Sequence, residues 1–278
     1  MLDLQIEPIV RAALLEDLGR AGDLTTDATV PPDQCGTVAL IARDRGVIAG
    51  VDCARLAWTL IDPTVHVTFT APDGSRVQPG DQIGEATGSV RALLTGERVA
   101  LNLLGHLSGV ATATARLVDA VAGTHTHICC TRKTTPGLRA LEKAAVVAGG
   151  GKNHRFGLDD AILIKDNHVA FAGSLTEAVR RARAYAGHLV KIDVEVDTLD
   201  QVRELLDIGA DAVLLDNMPP EVVRQAVEMI AGRMVTEASG RVTPDTARAL
   251  AETGVDLISA GWITHSATVL DIGLDHHR

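Results

Sequence analysis

Aromatic residues are scarce in this chain of 278 residues: three Phe, two Trp and one Tyr. Six rings cannot supply an extended stacking surface for nucleic-acid bases. Basic charge is short as well, with 26 Lys and Arg against 36 Asp and Glu and a formal net charge of −10, which argues against a general nucleic-acid binder. The four cysteines, Cys35, Cys53, Cys129 and Cys130, show no C-x-x-C spacing, and the last two are adjacent. Neither a zinc site nor an easy disulfide is expected from them, and a reducing cytoplasm is the default compartment. No run of 18 apolar residues occurs, so no membrane-spanning helix is expected. The N-terminal stretch MLDLQIEPIVRAALLEDLG carries Asp3, Glu7, Glu16 and Asp17 where a signal peptide needs a basic start and an unbroken apolar run. It reads as an amphipathic helix.

What is present is an ordinary globular composition, 46% hydrophobic and 22% charged, which excludes a largely disordered chain. The length suits two domains, or one large α/β domain with an appendage. Residues 28–90 are punctuated by Pro31-Pro32, Pro72-Asp73-Gly74 and Pro79-Gly80 between the runs VALIAR, GVIAGV and VHVTFT, which predicts short strands. From Thr95 the apolar spacing becomes helical, and one long helix or two joined ones are expected. Beyond residue 124 six apolar runs, THICCTRK, AILIKDN, KIDVEV, AVLLDN, MVTEASG and DLISAG, alternate with helical segments at about 136–149, 174–187, 198–209, 219–232 and 243–254. Such alternation predicts parallel βαβ units. Thr135-Pro136 and Thr243-Pro244 each set a capping hydroxyl before a proline, a pattern that starts helices.

Each run ends in polar or small residues: Arg132-Lys133, Lys165-Asp166-Asn167, Glu195, Asp216-Asn217, Glu237 with Ser239-Gly240, and Gly261. In a closed parallel α/β barrel the carboxyl ends of the strands converge on one mouth, whereas an open doubly wound sheet gathers ligands at one switch point. Polar groups at six strand ends favour a barrel, and six strands make it smaller or less closed than the usual eight. Residues 131–168 hold seven Lys and Arg against four acids, a net of +3, which leaves −13 for the rest. A cationic island in an acidic chain focuses small anions. Arg139 and Lys143 fit a solvated helix face instead. Arg132, Lys133, Arg155 and Lys165, at strand ends or in a loop, are the candidate ligands, with His154 beside Arg155.

Gly149-Gly150-Gly151-Lys152 is not a phosphate loop, because Val146 and Asn153 stand where that motif needs Gly and Ser or Thr. Glu195 and Asp216 on adjacent strands could hold Mg²⁺ directly or through water, accept from sugar hydroxyls, or simply pair with the basic cluster. Ser239-Gly240 and Gly261 are small-residue turns whose N–H groups could cradle a phosphate. His125 and His127 share a strand face without a third metal ligand at an evident spacing, so a structural role is expected. A barrel aldolase using Lys165 as a Schiff-base lysine is one alternative reading. An anion-binding relative without turnover is another.

The ordered strings EDLGRAGDLTTDATVP, GERVALNLLGHLSGVAT, TRKTTPGLRALEKAAV, GGGKNHRFGLDDAILIKDNHV, DVEVDTL, ADAVLLDNMPPE, TEASGRV and TGVDLISAGWITHSATVLDIGL together resemble the quinolinate phosphoribosyltransferases. The resemblance implies an N-terminal α/β sandwich domain at 1–105, joined by a C-terminal tail at 266–278, and a partly open six-stranded α/β barrel at 106–265. It implies phosphoribosyl transfer from phosphoribosyl pyrophosphate to quinolinate with loss of CO₂, giving nicotinate mononucleotide and diphosphate in NAD biosynthesis. By the same resemblance Arg132, Lys133, His154, Arg155 and Lys165 bind the dicarboxylate, with Arg98 reaching across from the second subunit of a homodimer. Lys133, Glu195 and Asp216 are the implied catalytic residues, the two carboxylates handling Mg²⁺-bound diphosphate and ribose hydroxyls. Ser239, Gly240 and Gly261 are implied to receive the ribose phosphate. Three positions depart from the family pattern: Cys130 stands in place of a common Asp, Ala144 in place of a frequent aromatic, and Arg241 in place of a common Gly.

Overall fold

The computed structural model describes residues 2–276. In chain order the elements begin with α1 (Asp3–Leu18), α2 (Leu24–Thr29), β1 (Cys35–Ala42), β2 (Gly46–Val47), α3 (Val51–Thr59), β3 (His66–Phe69), β4 (Arg76–Val77), β5 (Gln82–Ser89) and α4 (Val90–Ala120). They continue with β6 (His127–Cys129), α5 (Arg139–Ala148), β7 (Ile162–Ile164), α6 (Asp166–Ala172), α7 (Leu175–Tyr185), β8 (Ile192–Val196), α8 (Leu199–Ile208), β9 (Ala212–Asp216) and α9 (Pro220–Ile230). The last are β10 (Val235–Ser239), α10 (Pro244–Ala251), β11 (Leu257–Ser259), α11 (Trp262–His265) and β12 (Ile272–His276). The chain forms two compact units.

Among the described residues the first unit comprises 2–115, 134–150 and 263–276. Its main sheet is antiparallel, in the order β12-β1-β5-β3, so the C-terminal strand pairs with the first strand of the chain. The division at 1–105 and 106–265 therefore differs from the observed one, which carries the first unit to residue 115 and adds 134–150 to it. Of the tail at 266–278, residues 277 and 278 lie outside the described residues. The long apolar stretch after residue 90 forms one helix, α4, of 31 residues. Its Gly109 admits a close backbone approach: a Cβ there would lie 2.3 Å from the Thr268 carbonyl oxygen.

Within this unit α5 starts later than the Thr135-Pro136 pair predicts. Thr135 and Pro136 form a turn closed by Leu138 N–H donating to the Thr135 carbonyl, and the helix begins at Arg139. The Thr135 N–H instead donates to Glu142 Oε2 (3.1 Å), and His106 Nε2 lies 2.9 Å from Glu142 Oε1. Glu142 is fully buried. Burial would push its carboxyl up, but the hydrogen bonds from His106 and Thr135 outweigh that and hold it below its ordinary value. Lys143 is also buried, at 3% exposure, which corrects its assignment to a solvated face. The helix covers three successive residues, Leu141, Glu142 and Lys143, so more than one of its faces is packed.

The second unit comprises Arg116–Lys133 and Gly151–Trp262. Its six strands are the six apolar runs, joined in parallel in the order β6-β11-β10-β9-β8-β7. Strand–helix alternation is enforced locally. The Thr198 hydroxyl accepts from Gln201 N–H, Gln201 Oε1 accepts from Thr198 N–H, and Ser174 accepts from Glu177 N–H. Such caps satisfy backbone donors that the first helical turn leaves unpaired. Thr243 stands at the N-cap of α10 with Pro244 in its first turn, as the sequence predicts, and its N–H donates to Thr246 Oγ1 at 2.9 Å. The edge strands β6 and β7 share no ladder, so the barrel is partly open. On the β6 edge Lys152 bridges Cys129: its N–H donates to the Ile128 carbonyl and its carbonyl accepts from Cys130 N–H. Among the described residues no helix is long and apolar enough to cross a membrane.

Two stability predictions follow from the first unit. Gly109→Ala forces the Thr268 backbone to shift, at a cost of about 1–3 kcal/mol readable in chemical denaturation. Glu142→Ala removes a charged hydrogen-bond acceptor from His106 and Thr135 and costs about 1.5–3 kcal/mol at neutral pH. Because the native carboxyl is depressed, the wild-type advantage is complete above the ordinary glutamate value of 4.5 and vanishes as pH falls through the lower native value. Unfolding curves of both proteins across that range measure it.

Candidate active site

The parallel ladder is in register across its carboxyl ends. Ile164 sits opposite Val194, Glu195 opposite Leu214, Asp216 opposite Ser239, and Ser239 opposite Ser259, which is itself opposite Cys129. Side chains alternate across a strand, so residues two apart share a face. The inner rows of the unit are therefore Leu163 and Lys165, Glu195, Leu214 and Asp216, Glu237 and Ser239, Ser259 and Gly261. All of them line one cavity of about 540 Å³, together with Thr131, Arg132, Lys133, His154, Arg155, Asn217, Gly240 and Arg241. Every sequence-selected site residue but one is thus brought to a single mouth. The exception is Arg98, an exposed residue of α4 in the first unit, 3.9 Å from Glu97. His125 and His127 do not line the cavity, and His125 lies 4.0 Å from Asp256.

Several of these groups have protein partners. Lys165 Nζ donates to Glu195 Oε2, so the ion pair left open by the sequence is formed between these two. Arg155 Nη1 donates to the Ala161 carbonyl at 2.7 Å, while its Nε is buried without a partner, as is Nε of Arg132. Burial and the neighbouring Arg132 guanidinium push Arg155 down from its ordinary value, opposed by Asp193 and Asp160. Asn217 Nδ2 donates to Asp216 Oδ2 at 2.6 Å from a residue in the left-handed region, φ 53°. Cys130 is fully buried and its thiol contacts Asn153 Oδ1 at 3.2 Å.

His154 is held from both ring nitrogens. Nδ1 accepts from the Arg155 N–H at 2.7 Å, which assigns the ring proton to Nε2, and Nε2 faces Glu237 Oε2 at 3.5 Å and Asp193 Oδ2 at 3.6 Å. The ring therefore spends its polar atoms on protein groups and aligns the Arg155 backbone. Burial pushes the Glu237 carboxyl up, Asp193 adds to the rise, and His154 and Lys165 oppose it. Asp193 and Glu237 were not selected from the sequence as ligands. The signal that finds them is the period of two, because Asp193 precedes Glu195 and Glu237 precedes Ser239 by two residues on inward rows.

Among the described residues, the His, Cys, Asp and Glu side chains that cluster in a metal-ligating arrangement are His154, Asp193 and Glu237. With Nδ1 accepting a hydrogen bond, this histidine lacks the outward N–H that usually orients a metal-bound ring. Glu195 and Asp216, which line the same cavity, offer hard carboxylate oxygens. That donor set fits Mg²⁺, which is held by one or two carboxylates, waters and substrate phosphates.

The family model described as quinolinate phosphoribosyl transferase, N-terminal domain, matches residues 23–108, and the C-terminal domain model matches residues 110–275. The chain is 44% identical over 275 residues to a probable nicotinate-nucleotide pyrophosphorylase [carboxylating] of Bacillus subtilis, covering 99% of this chain and 94% of that protein. It is 46% identical over 271 residues to the nicotinate-nucleotide pyrophosphorylase [carboxylating] of Mycobacterium leprae, covering 96% and 95%. A crystal structure of NadC from Streptococcus pyogenes superimposes with a TM-score of 0.95 at 42% identity, over 100% of this chain and 99% of that one. Matched in both halves and over nearly its whole length, the chain belongs to the quinolinate phosphoribosyltransferase family.

Proposed function

We propose that this protein transfers the phosphoribosyl group of phosphoribosyl pyrophosphate to quinolinate and releases CO₂, diphosphate and nicotinate mononucleotide, as an enzyme of NAD biosynthesis. The observation that carries this reading is the single mouth in which Arg132, Lys133, Arg155 and Lys165 share a cavity with carboxylates and small-residue turns. A pyridine dicarboxylate needs paired cations, and guanidinium groups match carboxylates bidentately. The buried, unpartnered Nε atoms of Arg132 and Arg155 give those two guanidinium groups donors still to be satisfied.

Breaking the bond from ribose C1 to diphosphate leaves a cationic, oxocarbenium-like sugar and a highly charged leaving group. In this reading Glu195 and Asp216 face the sugar, accept from its hydroxyls and favour the positive charge that develops there. Lys133 lies where negative charge grows on the leaving group. Mg²⁺, held by Glu195 and Asp216 directly or through water, would supply further neutralisation of the diphosphate. Ser239, Gly240 and Gly261 take the ribose phosphate through hydroxyl and backbone donors. Alkylation of the pyridine nitrogen then turns the ring into its own electron sink, so the carbanion left by decarboxylation needs no organic cofactor. The chain's remaining task is to align the nitrogen with C1 and keep water out.

A homodimer in which Arg98 of one subunit completes the quinolinate site of the other belongs to the same proposal. So does a cytoplasmic location, supported by four free cysteines of which three are buried. The aldolase alternative is weakened because Lys165 is engaged with Glu195 and does not stand in an apolar pocket.

Incubating the protein with quinolinate, phosphoribosyl pyrophosphate and Mg²⁺ is expected to give nicotinate mononucleotide and CO₂ in equal amounts, with turnover abolished by chelation and restored by added Mg²⁺. Absence of product from folded protein would sink the reading. Arg132→Ala and Arg155→Ala are each expected to raise the quinolinate KM at least about tenfold with unchanged circular dichroism, the loss of a charge-assisted contact to carboxylate. Normal kinetics in both variants would move the dicarboxylate site elsewhere.

A further inference from the structure

Charge is unevenly distributed around the mouth. The cations Arg132, Lys133, Arg155 and Lys165 all come from the ends of β6 and β7 and the segment before β7. β10 and β11, with the turns after them, contribute Glu237, Ser239, Gly240, Arg241, Ser259 and Gly261. Arg241 is the single cation of that set. A phosphate monoester placed here on hydroxyls and backbone N–H groups alone would have donors but no counter-charge, with a buried carboxylate nearby.

The turn that carries Arg241 is built to a fixed shape. Gly240 sits at φ 144°, a conformation that side chains rarely adopt, and a Cβ on it would lie 2.9 Å from Asn217 Oδ1. On the other side Val242 is buried, and its carbonyl accepts from the Trp262 indole N–H at 2.7 Å. Arg241 thus lies between two fixed neighbours, is exposed and lines the cavity. Among the described residues no hydrogen bond or ion pair engages its guanidinium, in contrast to Arg155 and Lys165. Its donors are free for a ligand, and a planar guanidinium matches two phosphate oxygens at once.

We propose that Arg241 is a substrate-binding residue that clamps the 5-phosphate of phosphoribosyl pyrophosphate against the Ser239-Gly240 turn. This rests on the phosphoribosyl-transfer reading above, and it assigns the phosphate end a cation of its own. The contact lies at the unreacting end of the sugar, so it acts on binding of this substrate and leaves the quinolinate subsite unaffected.

Steady-state kinetics of Arg241→Ala and Arg241→Lys test it. The alanine variant is expected to raise the KM for phosphoribosyl pyrophosphate about 10- to 100-fold, as loss of a charge-assisted phosphate contact does. The quinolinate KM should stay within about twofold, and Arg241→Lys should recover part of the loss because it keeps the charge without the fork. Ribose 5-phosphate as an inhibitor should weaken in Arg241→Ala by a factor similar to the KM change, while inorganic diphosphate should not. An unchanged KM for phosphoribosyl pyrophosphate, a parallel rise in the quinolinate KM, or weakening confined to diphosphate would each overturn the assignment. Calorimetric titration of ribose 5-phosphate into both proteins reads the contact without turnover. Tighter binding by the wild type upholds the clamp even if no product forms, and equal binding rejects it.

Discussion

The in-register parallel ladder of the second unit is the constraint on which the site depends. Parallel pairing puts every strand's carboxyl end on the same side, and a repeat of two residues puts alternate side chains on the same face. With Glu195 opposite Leu214, Asp216 opposite Ser239 and Ser239 opposite Ser259, groups far apart in the chain share one mouth. A one-residue slip of β8 would turn Asp193 and Glu195 away and bring Val194 and Val196 inward. The apolar residues that cover the sheet therefore also hold the chemistry in place.

Electrostatics accounts for the composition of that mouth. Asp193 and Glu237 are buried, each with an oxygen that has no hydrogen-bond partner, and His154 faces both. Buried acids left without cations nearby would be costly, and the Arg and Lys side chains above them supply the balance. The same cations concentrate positive charge at the mouth, in a chain whose net charge is −10.

Much of the second unit was legible in the sequence because strand length, apolar runs and helix caps are local properties. The six runs became the six strands, and Thr243-Pro244 began α10. Thr135-Pro136 carried the same local signal and formed a turn instead, since the Thr135 N–H was claimed by the buried Glu142. Lys143 was misassigned for a related reason: helical spacing says which residues share a face, but only packing says which faces are covered. Asp193 and Glu237 went unselected because their depth depends on which of two alternating rows points inward.

By itself the sequence determined the chemistry available: a cationic segment inside an acidic chain, carboxylates at two strand ends, small residues at two turns, and the ordered motifs of a family. Tertiary structure decided how those groups are used. It paired Lys165 with Glu195, turned both nitrogens of His154 onto protein partners, and left Arg241 exposed at the cavity. The physical reason is that a side chain's charge and donor set are fixed by its identity, whereas its partner is fixed by register and burial, which depend on residues distant in the chain.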